Sequence, residues 1–375
     1  MKKVCIVTAT RSEYGLLRWV INDIFQSEIL ELALVVTGGH LSKEQGYTID
    51  YIKNDGYPIT ATFDINPHYN SRLDVSLSMA LCQSEFSKIL NNIKPDLLVV
   101  LGDRIELLPL CYSALLLEIP IAHIAGGDIT EGAIDNKIRN AVSMIANYHF
   151  PGTYESGERI KRMLGSDYNI FVTGETNLDN FTHLERMSRK DIAESLGIDA
   201  EKEWVLCTYH PETTIPLEEN IERVNRLNEL FTTELSEKEI IITKANTDFG
   251  GVMINKLFEN FSRKAANIHV FSSLGQIRYI STLYEIKFMI GNSSSGIFES
   301  PFVKLPVINI GNRQLGRKYT KNILLSNGST SSLKECVKKV LADKFKASLE
   351  DLENPYGDGH ASERIVSKIK EILYA

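Results

Sequence analysis

The stretch VCIVTATRSEYGLLRWVINDIF, residues 4–25, runs from an apolar β-branched segment through a short polar turn into a helical pattern. Residues 4–8 suit a buried strand. Leu16, Leu17, Val20, Ile21, Ile24 and Phe25 then fall on one side of a 3.6-residue period, which predicts a helix whose apolar stripe packs on that strand. This βα unit recurs. Similar runs at 32–37, 97–101, 121–124 and 170–173 are separated by helical stretches, and a second series starts at Trp204 and continues through 240–243, 268–271, 288–290 and 307–310. Such alternation predicts parallel sheets with helices on both faces.

A chain of 375 residues is long enough for two such domains, each with its own core. The polar stretch 177–203 is the natural join. The expected fold is therefore α/β, with Rossmann-like doubly wound domains at 1–176 and 177–375 facing a central cleft. The last helical segment, 361–374, follows the turn NPYGDG and is placed to pack back on either domain, the N-terminal one included. No exposed apolar stripe in the sequence settles an oligomeric state.

Composition narrows the function. A formal charge of −7 is the wrong sign for a protein whose main partner is nucleic acid, so any phosphate site must be local. Arg11 and Glu13 interrupt the first apolar run well before membrane-span or signal length, which reads as a cytoplasmic protein with no membrane partner. Cys5, Cys82, Cys111, Cys207 and Cys336 are scattered without CxxC spacing and suggest buried thiols rather than a disulfide framework or a zinc site.

In doubly wound sheets ligands bind beyond the carboxyl ends of strands. The residues there are unusually polar: Arg11, His40, Asp103, Arg104 and Asp128 in the first half, and His210, Asn246, the GNSSSG turn (291–296) and Arg313 in the second. In GNSSSGIFES an apolar strand ends in Gly291, and a serine-rich turn enters a helix expected to carry Glu299 one turn in. Backbone N–H groups at such a start, with Ser293, Ser294 and Gly296, suit a phosphate, and Glu299 suits the hydroxyls of a ribose. Helix capping by the serines is the alternative. Arg313 and Arg317 follow the next strand, where guanidinium forks suit diphosphate oxygens.

The first turn has no GxGxxG, and GxxxxGK[ST] is absent, so neither a dinucleotide redox cofactor nor P-loop ATP chemistry is expected. No cofactor is required. The stretch HIAGGDITEGAID adds Asp128, Glu131 and Asp135 to Asp103, a carboxylate set suited to proton transfer on a sugar.

These blocks, TATRSEYG, TGGHLSKEQGYT, KPDLLVVLGDR, HIAGGDITEGAID, YHPETT, GNSSSGIFE, PVINIGNRQLGR and NPYGDG, together resemble the UDP-N-acetylglucosamine 2-epimerase family, above all its hydrolysing branch. The resemblance covers nearly the whole chain. It implies a GT-B-like fold, a UDP-sugar substrate, a homodimer or homotetramer, and a place in sialic or legionaminic acid synthesis. It makes Arg11, His210, Ser293, Ser294, Glu299 and Arg313 look like UDP ligands, with Asn246 beside them and Gln314 and Arg317 extending the phosphate motif. His40, Asp103, Arg104 and Asp135 look like residues around the sugar.

The implied reaction expels UDP to a glycal and adds water, with Asp103, Glu131, Asp135 and His210 as catalytic candidates. Two departures stand out. Ala125 occupies the place of a catalytic glutamate in many members, which moves that role to Glu131 or Asp128, and Leu16 replaces a lysine of some relatives. A non-hydrolysing epimerase, a glycosyltransferase and a non-catalytic UDP-sugar-binding protein are the alternatives.

Overall fold

A computed structural model describes residues 1–43, 47–65, 71–129, 134–246 and 249–375. The chain divides into two compact units, residues 1–182 with 355–375, and residues 183–354. The first holds the strands β1 (Lys2–Thr8), β2 (Leu30–Thr37), β3 (Ile59–Phe63), β4 (Leu97–Leu101), β5 (Ile121–Ile124) and β6 (Tyr148–Phe150). The second holds β7 (Trp204–Thr208), β8 (Glu239–Thr243), β9 (Ile268–Phe271), β10 (Phe288–Gly291), β11 (Val307–Ile310) and β12 (Ile323–Ser326).

Each unit carries a six-stranded sheet, ordered β3-β2-β1-β4-β5-β6 and β9-β8-β7-β10-β11-β12, with parallel pairing throughout. The second order repeats the first, strand for strand. Both are the doubly wound 3-2-1-4-5-6 order, whose direction reverses between the first and fourth strands of each set. That reversal opens a crevice beyond β1 and β4 in one unit and beyond β7 and β10 in the other.

The helix Arg11–Phe25 forms as its spacing predicts. Thr10 caps it by accepting the N–H of Glu13, and Leu17, Val20, Ile21 and Ile24 are buried in the first core. Phe25, expected in that stripe, is exposed instead. Ile170 makes only an isolated parallel bridge to His149, so 170–173 is an irregular extended segment beside β6 rather than a strand.

The division falls at 182/183 rather than at 176, and the last helix, Ala361–Tyr374, belongs to the first unit. The reason is local. Asp179, fully buried, accepts the N–H groups of Ala361 and Ser362 at 2.9 and 2.6 Å, which caps that helix. Ile365, Val366 and Ile369 then enter the first core.

All five cysteines are buried and unbridged. No helix among the described residues is long and apolar enough to cross a membrane. An apolar stripe does reach the surface: Leu73, Leu77 and Leu81, spaced by one turn along the helix Arg72–Ile93, are exposed. In sequence this spacing reads like core.

Candidate active site

In the first unit, the strand ends at the crevice gather a charged network. Asp103 follows β4 through Gly102 and pairs with Arg139 Nη2. Arg139 is buried in the helix Asp135–Ile145 and its Nη1 also donates to the carbonyl of Asp128 at 2.7 Å. Asp128 in turn accepts from the Ser156 hydroxyl at 2.5 Å. One guanidinium therefore joins the Asp103 carboxylate to the backbone of Asp128, whose own carboxylate is held by Ser156. Asp135 opens the same helix one turn before Arg139.

Burial raises the Asp103 carboxyl above its usual value; Arg139 opposes this, and the charges of Asp135 and Asp128 add to it. Desolvation and a fixed cation thus act on this one carboxyl in opposite directions. Arg139, which pairs with Asp103, is not among the residues singled out in the sequence. Its signal was its position four residues after Asp135, on the same helical face.

Arg104 donates from Nη2 to Glu106 Oε1 at 2.9 Å. Glu106 is almost wholly buried, and its Oε2 has no hydrogen-bond partner among the described residues. Glu13 is buried too, with Oε2 accepting the Ala9 N–H at 2.6 Å. Desolvation pushes Glu13 up to about 7, although the Ala9 bond and Arg104 pull the other way. Glu13 and Glu106 also escaped the sequence reading.

Arg11 is exposed at the first helical turn, its guanidinium 4.5 Å from the Tyr51 ring centroid. His40 sits deeper than a sugar contact requires. It is inaccessible, with Nε2 3.0 Å from the Thr8 hydroxyl and Nδ1 2.9 Å from the Thr48 hydroxyl, and burial lowers it to about 4. Ala125 adopts a left-handed φ of 58° and packs against the first core. Leu16 also packs there. Glu131 lies outside the described residues.

In the second unit, Asn292 is the hub. Its side chain is buried and grips the His210 backbone from both sides, accepting the N–H at 2.7 Å and donating to the carbonyl at 2.8 Å. Its own carbonyl accepts from Gln314 Nε2 at 2.7 Å and from Arg313 Nη1 at 3.3 Å. The turns after β7, β10 and β11 are thereby locked together. His210 Nδ1 accepts the Asn246 N–H at 3.0 Å, so the neutral ring carries its proton on Nε2. Gln314 also accepts from Arg317, whose guanidinium lies 4.7 Å from the Phe298 ring centroid.

The helix after Gly291 is a single turn, Ser295–Phe298. Glu299 therefore lies just past its end, not one turn inside a longer helix, because Pro301 stops the helix there. Glu299 still reaches back, accepting from Ser295 Oγ at 2.7 Å, and the Tyr279 hydroxyl bonds the same Ser295 oxygen. Ser294 makes no side-chain capping bond, while Ser293 Oγ accepts the Ser295 N–H at 3.4 Å. Capping thus accounts for little of what these serines can do. Gly296 packs its α-carbon against Val307, where an added Cβ would stand 3.1 Å from Cγ1.

Comparison with known proteins agrees with this geometry. The model of the family described as UDP-N-acetylglucosamine 2-epimerase matches residues 22–370. The chain is 36% identical to the GDP/UDP-N,N'-diacetylbacillosamine 2-epimerase (hydrolyzing) of Campylobacter jejuni, over 92% of this chain and 89% of that one. It is 30% identical to the UDP-N,N'-diacetylbacillosamine 2-epimerase (hydrolyzing) of Legionella pneumophila, over 99% and 96%. Among solved structures, a putative UDP-N-acetylglucosamine 2-epimerase from Listeria monocytogenes has the same fold, with a TM-score of 0.81 at 18% identity over 100% of this chain and 97% of that one. Two doubly wound units within a GT-B-like fold, and these matches along almost the whole sequence, place the chain in the UDP-N-acetylglucosamine 2-epimerase family.

Proposed function

We propose that the protein is a hydrolysing 2-epimerase that converts a UDP-linked 2-acetamido sugar and water into UDP and the free manno-configured sugar. The observation that carries this reading is the grouping at the ligand-binding end of the first sheet of Asp103, paired with Arg139, of Asp128, whose backbone carbonyl takes the same guanidinium, and of Asp135, one helical turn from Arg139. Simple glycosyl transfer needs no such set of carboxylates.

The second unit holds UDP through Ser293, Ser294, Gly296, Glu299 and Arg313, with His210 and Asn246 beside them. Arg11 adds a charge for the diphosphate, and Arg104 meets the sugar, with His40 a buried support bonded to Thr8 and Thr48 rather than a contact. A base among Asp103, Asp135 and Glu131 takes the carbon 2 proton while the C1–O bond breaks with its electron pair leaving on UDP. Charge at the departing diphosphate is met by fixed cations and N–H groups. Water then adds its oxygen to carbon 1 of the glycal, and a proton is delivered to the other face of carbon 2. Glu131, or Asp128, fills the role left open at Ala125.

The named activities of the Campylobacter and Legionella relatives support the 2,4-diacetamido-2,4,6-trideoxyglucose form of the substrate, hence a place in legionaminic-type nonulosonic acid synthesis in the cytoplasm. The exposed Leu73, Leu77 and Leu81, on a helix packed against Leu107–Leu116 with its exposed Tyr112, Leu115 and Leu116, support a homo-oligomer.

The test offers UDP-N-acetylglucosamine and its diacetamido counterpart at equal concentration in heavy water. Expected are released UDP and a manno-configured product with deuterium at carbon 2, fastest from the diacetamido sugar. A product that keeps protium at carbon 2, or that remains attached to UDP, overturns the reading.

A further inference from the structure

His123, on β5, is buried, and its ring hydrogen bonds go to Gly102 and Ser143, neither of them assigned to the substrate. Its Nε2 lies 2.8 Å from the carbonyl of Gly102 and its Nδ1 3.0 Å from the Ser143 hydroxyl. A carbonyl only accepts, so the ring proton is on Nε2, and Ser143 donates to Nδ1. The next residue of the strand completes a clamp: the Gly102 N–H donates to the carbonyl of Ile124 at 3.0 Å. Both polar atoms of Gly102 are thus held by consecutive residues of β5, in a conformation with φ of +82°. Asp103 follows at once.

The other end of the clamp comes from the helix that holds the Asp103 carboxylate. Arg139 and Ser143 are one turn apart on the helix Asp135–Ile145, Arg139 bonding Asp103 and Ser143 bonding His123. The loop after β5 leaves room for this only because residue 126 is glycine. A Cβ there would stand 2.9 Å from Ser143 Oγ and 3.0 Å from His123 Nδ1.

We infer that His123, oriented by Ser143, is a positioning residue that sets the backbone of Asp103 against Arg139 for proton transfer. The inference rests on the hydrolysing-epimerase reading for its kinetic consequence, not for its geometry. Burial holds the imidazole down to about 4, so the ring is neutral at neutral pH and keeps this tautomer.

The experiment compares wild type with His123→Leu, which removes the bond to Gly102, and His123→Gln, whose amide can restore a donor near the Nε2 position. Leucine is expected to lower kcat by about 100-fold with KM changed less than about threefold, and glutamine to recover most of kcat. Ser143→Ala, a milder change, keeps the fold if leucine does not and is expected to lower kcat by about threefold or more.

The carboxyl titration of Asp103, followed by carbon-13 NMR in the same proteins, needs no turnover. It is expected to move by about half a pH unit or more in the leucine variant and to return in the glutamine variant. Coincident Asp103 titrations in all the proteins, or kcat losses equal for leucine and glutamine, overturn the inference. Absence of UDP release by wild type from either sugar overturns the functional reading alone, and the titration still decides this one.

Discussion

Glu212 accepts the backbone N–H of Asn312 at 3.0 Å, and so ties the turn after β7, which carries His210, to the turn after β11, which carries Arg313. The same oxygen takes Arg223 Nη1 at 2.9 Å, and both side chains are buried. Gly311 allows the approach, since a Cβ there would fall 2.2 Å from Glu212 Oε2. The place of Arg313 therefore depends on a buried ion pair outside the phosphate motif.

Glu212→Ala should then weaken two things together. It strips the Asn312 N–H of its acceptor and leaves Arg223 with the more exposed Glu219 as its carboxylate partner among the described residues, at a cost of about 3 kcal/mol. UDP affinity, measured by calorimetry, should fall with stability. Glu212→Gln keeps an acceptor for Asn312 and should retain more UDP affinity than alanine does. Equal UDP affinity in wild type and alanine variant would disconnect the pair from the Arg313 turn.

Arg139→Met removes the cation that opposes the upward pull of burial on Asp103. The Asp103 carboxyl should rise further, because desolvation and the charges of Asp135 and Asp128 then act without a counterweight. If ionised Asp103 is the base, the acid limb of kcat against pH moves to higher pH in this variant. An acid limb that stays in place assigns it to another group.

The fold was legible because buried strands announce themselves: the run at 97–101 is buried and apolar throughout, and the run at 204–208 is buried and apolar up to its closing Thr208. The elements the sequence hid are edges. β3, β6 and β12 are short or half exposed, and β3 alternates accessible and less accessible positions, a weak signal beside a buried run. Candidate residues at strand ends, such as Asp103 and Arg313, can be picked out in sequence because the doubly wound fold fixes where ligands bind. Arg139, Asn292 and Glu13 could not, because their roles arise from partners brought close only by folding; Arg139 and Asp103 lie 36 residues apart. Glu299 was misplaced within its helix although Pro301 was in plain view.

Stability against pH should show two flanks of opposite sign. Glu13 has a folded value raised from 4.5 to about 7, so its contribution is complete below about 4.5 and is lost as pH rises through 7. His40, His123 and His149 are lowered from 6.5 to about 4, mainly by burial, so theirs is complete above about 6.5 and is lost as pH falls through 4. Thermal unfolding should be highest between about pH 6 and 7. Glu13→Gln keeps an acceptor for the Ala9 N–H and should flatten the alkaline flank, by at most about 3 kcal/mol, while leaving the acid flank in place. An alkaline flank unchanged in Glu13→Gln would assign it elsewhere.

Gly291→Ala and Gly275→Ala should differ sharply although both glycines have positive φ, +139° and +71°. At Gly275 nothing lies within 4 Å of an added Cβ, so alanine costs only the backbone conformation, φ +71° with ψ 167°, a region almost reserved for glycine, about 1–3 kcal/mol. At Gly291 the Cβ would fall 2.0 Å from the carbonyl oxygen of Thr208, its register partner across β7 and β10. The strands must part or the turn must move. Either shift displaces Asn292, and with it the His210 backbone and the carbonyl that receives Arg313 and Gln314. Gly291→Ala is therefore expected to abolish UDP binding, while Gly275→Ala binds as wild type does. Normal UDP affinity in Gly291→Ala would show that the turn after β10 is not what holds the nucleotide.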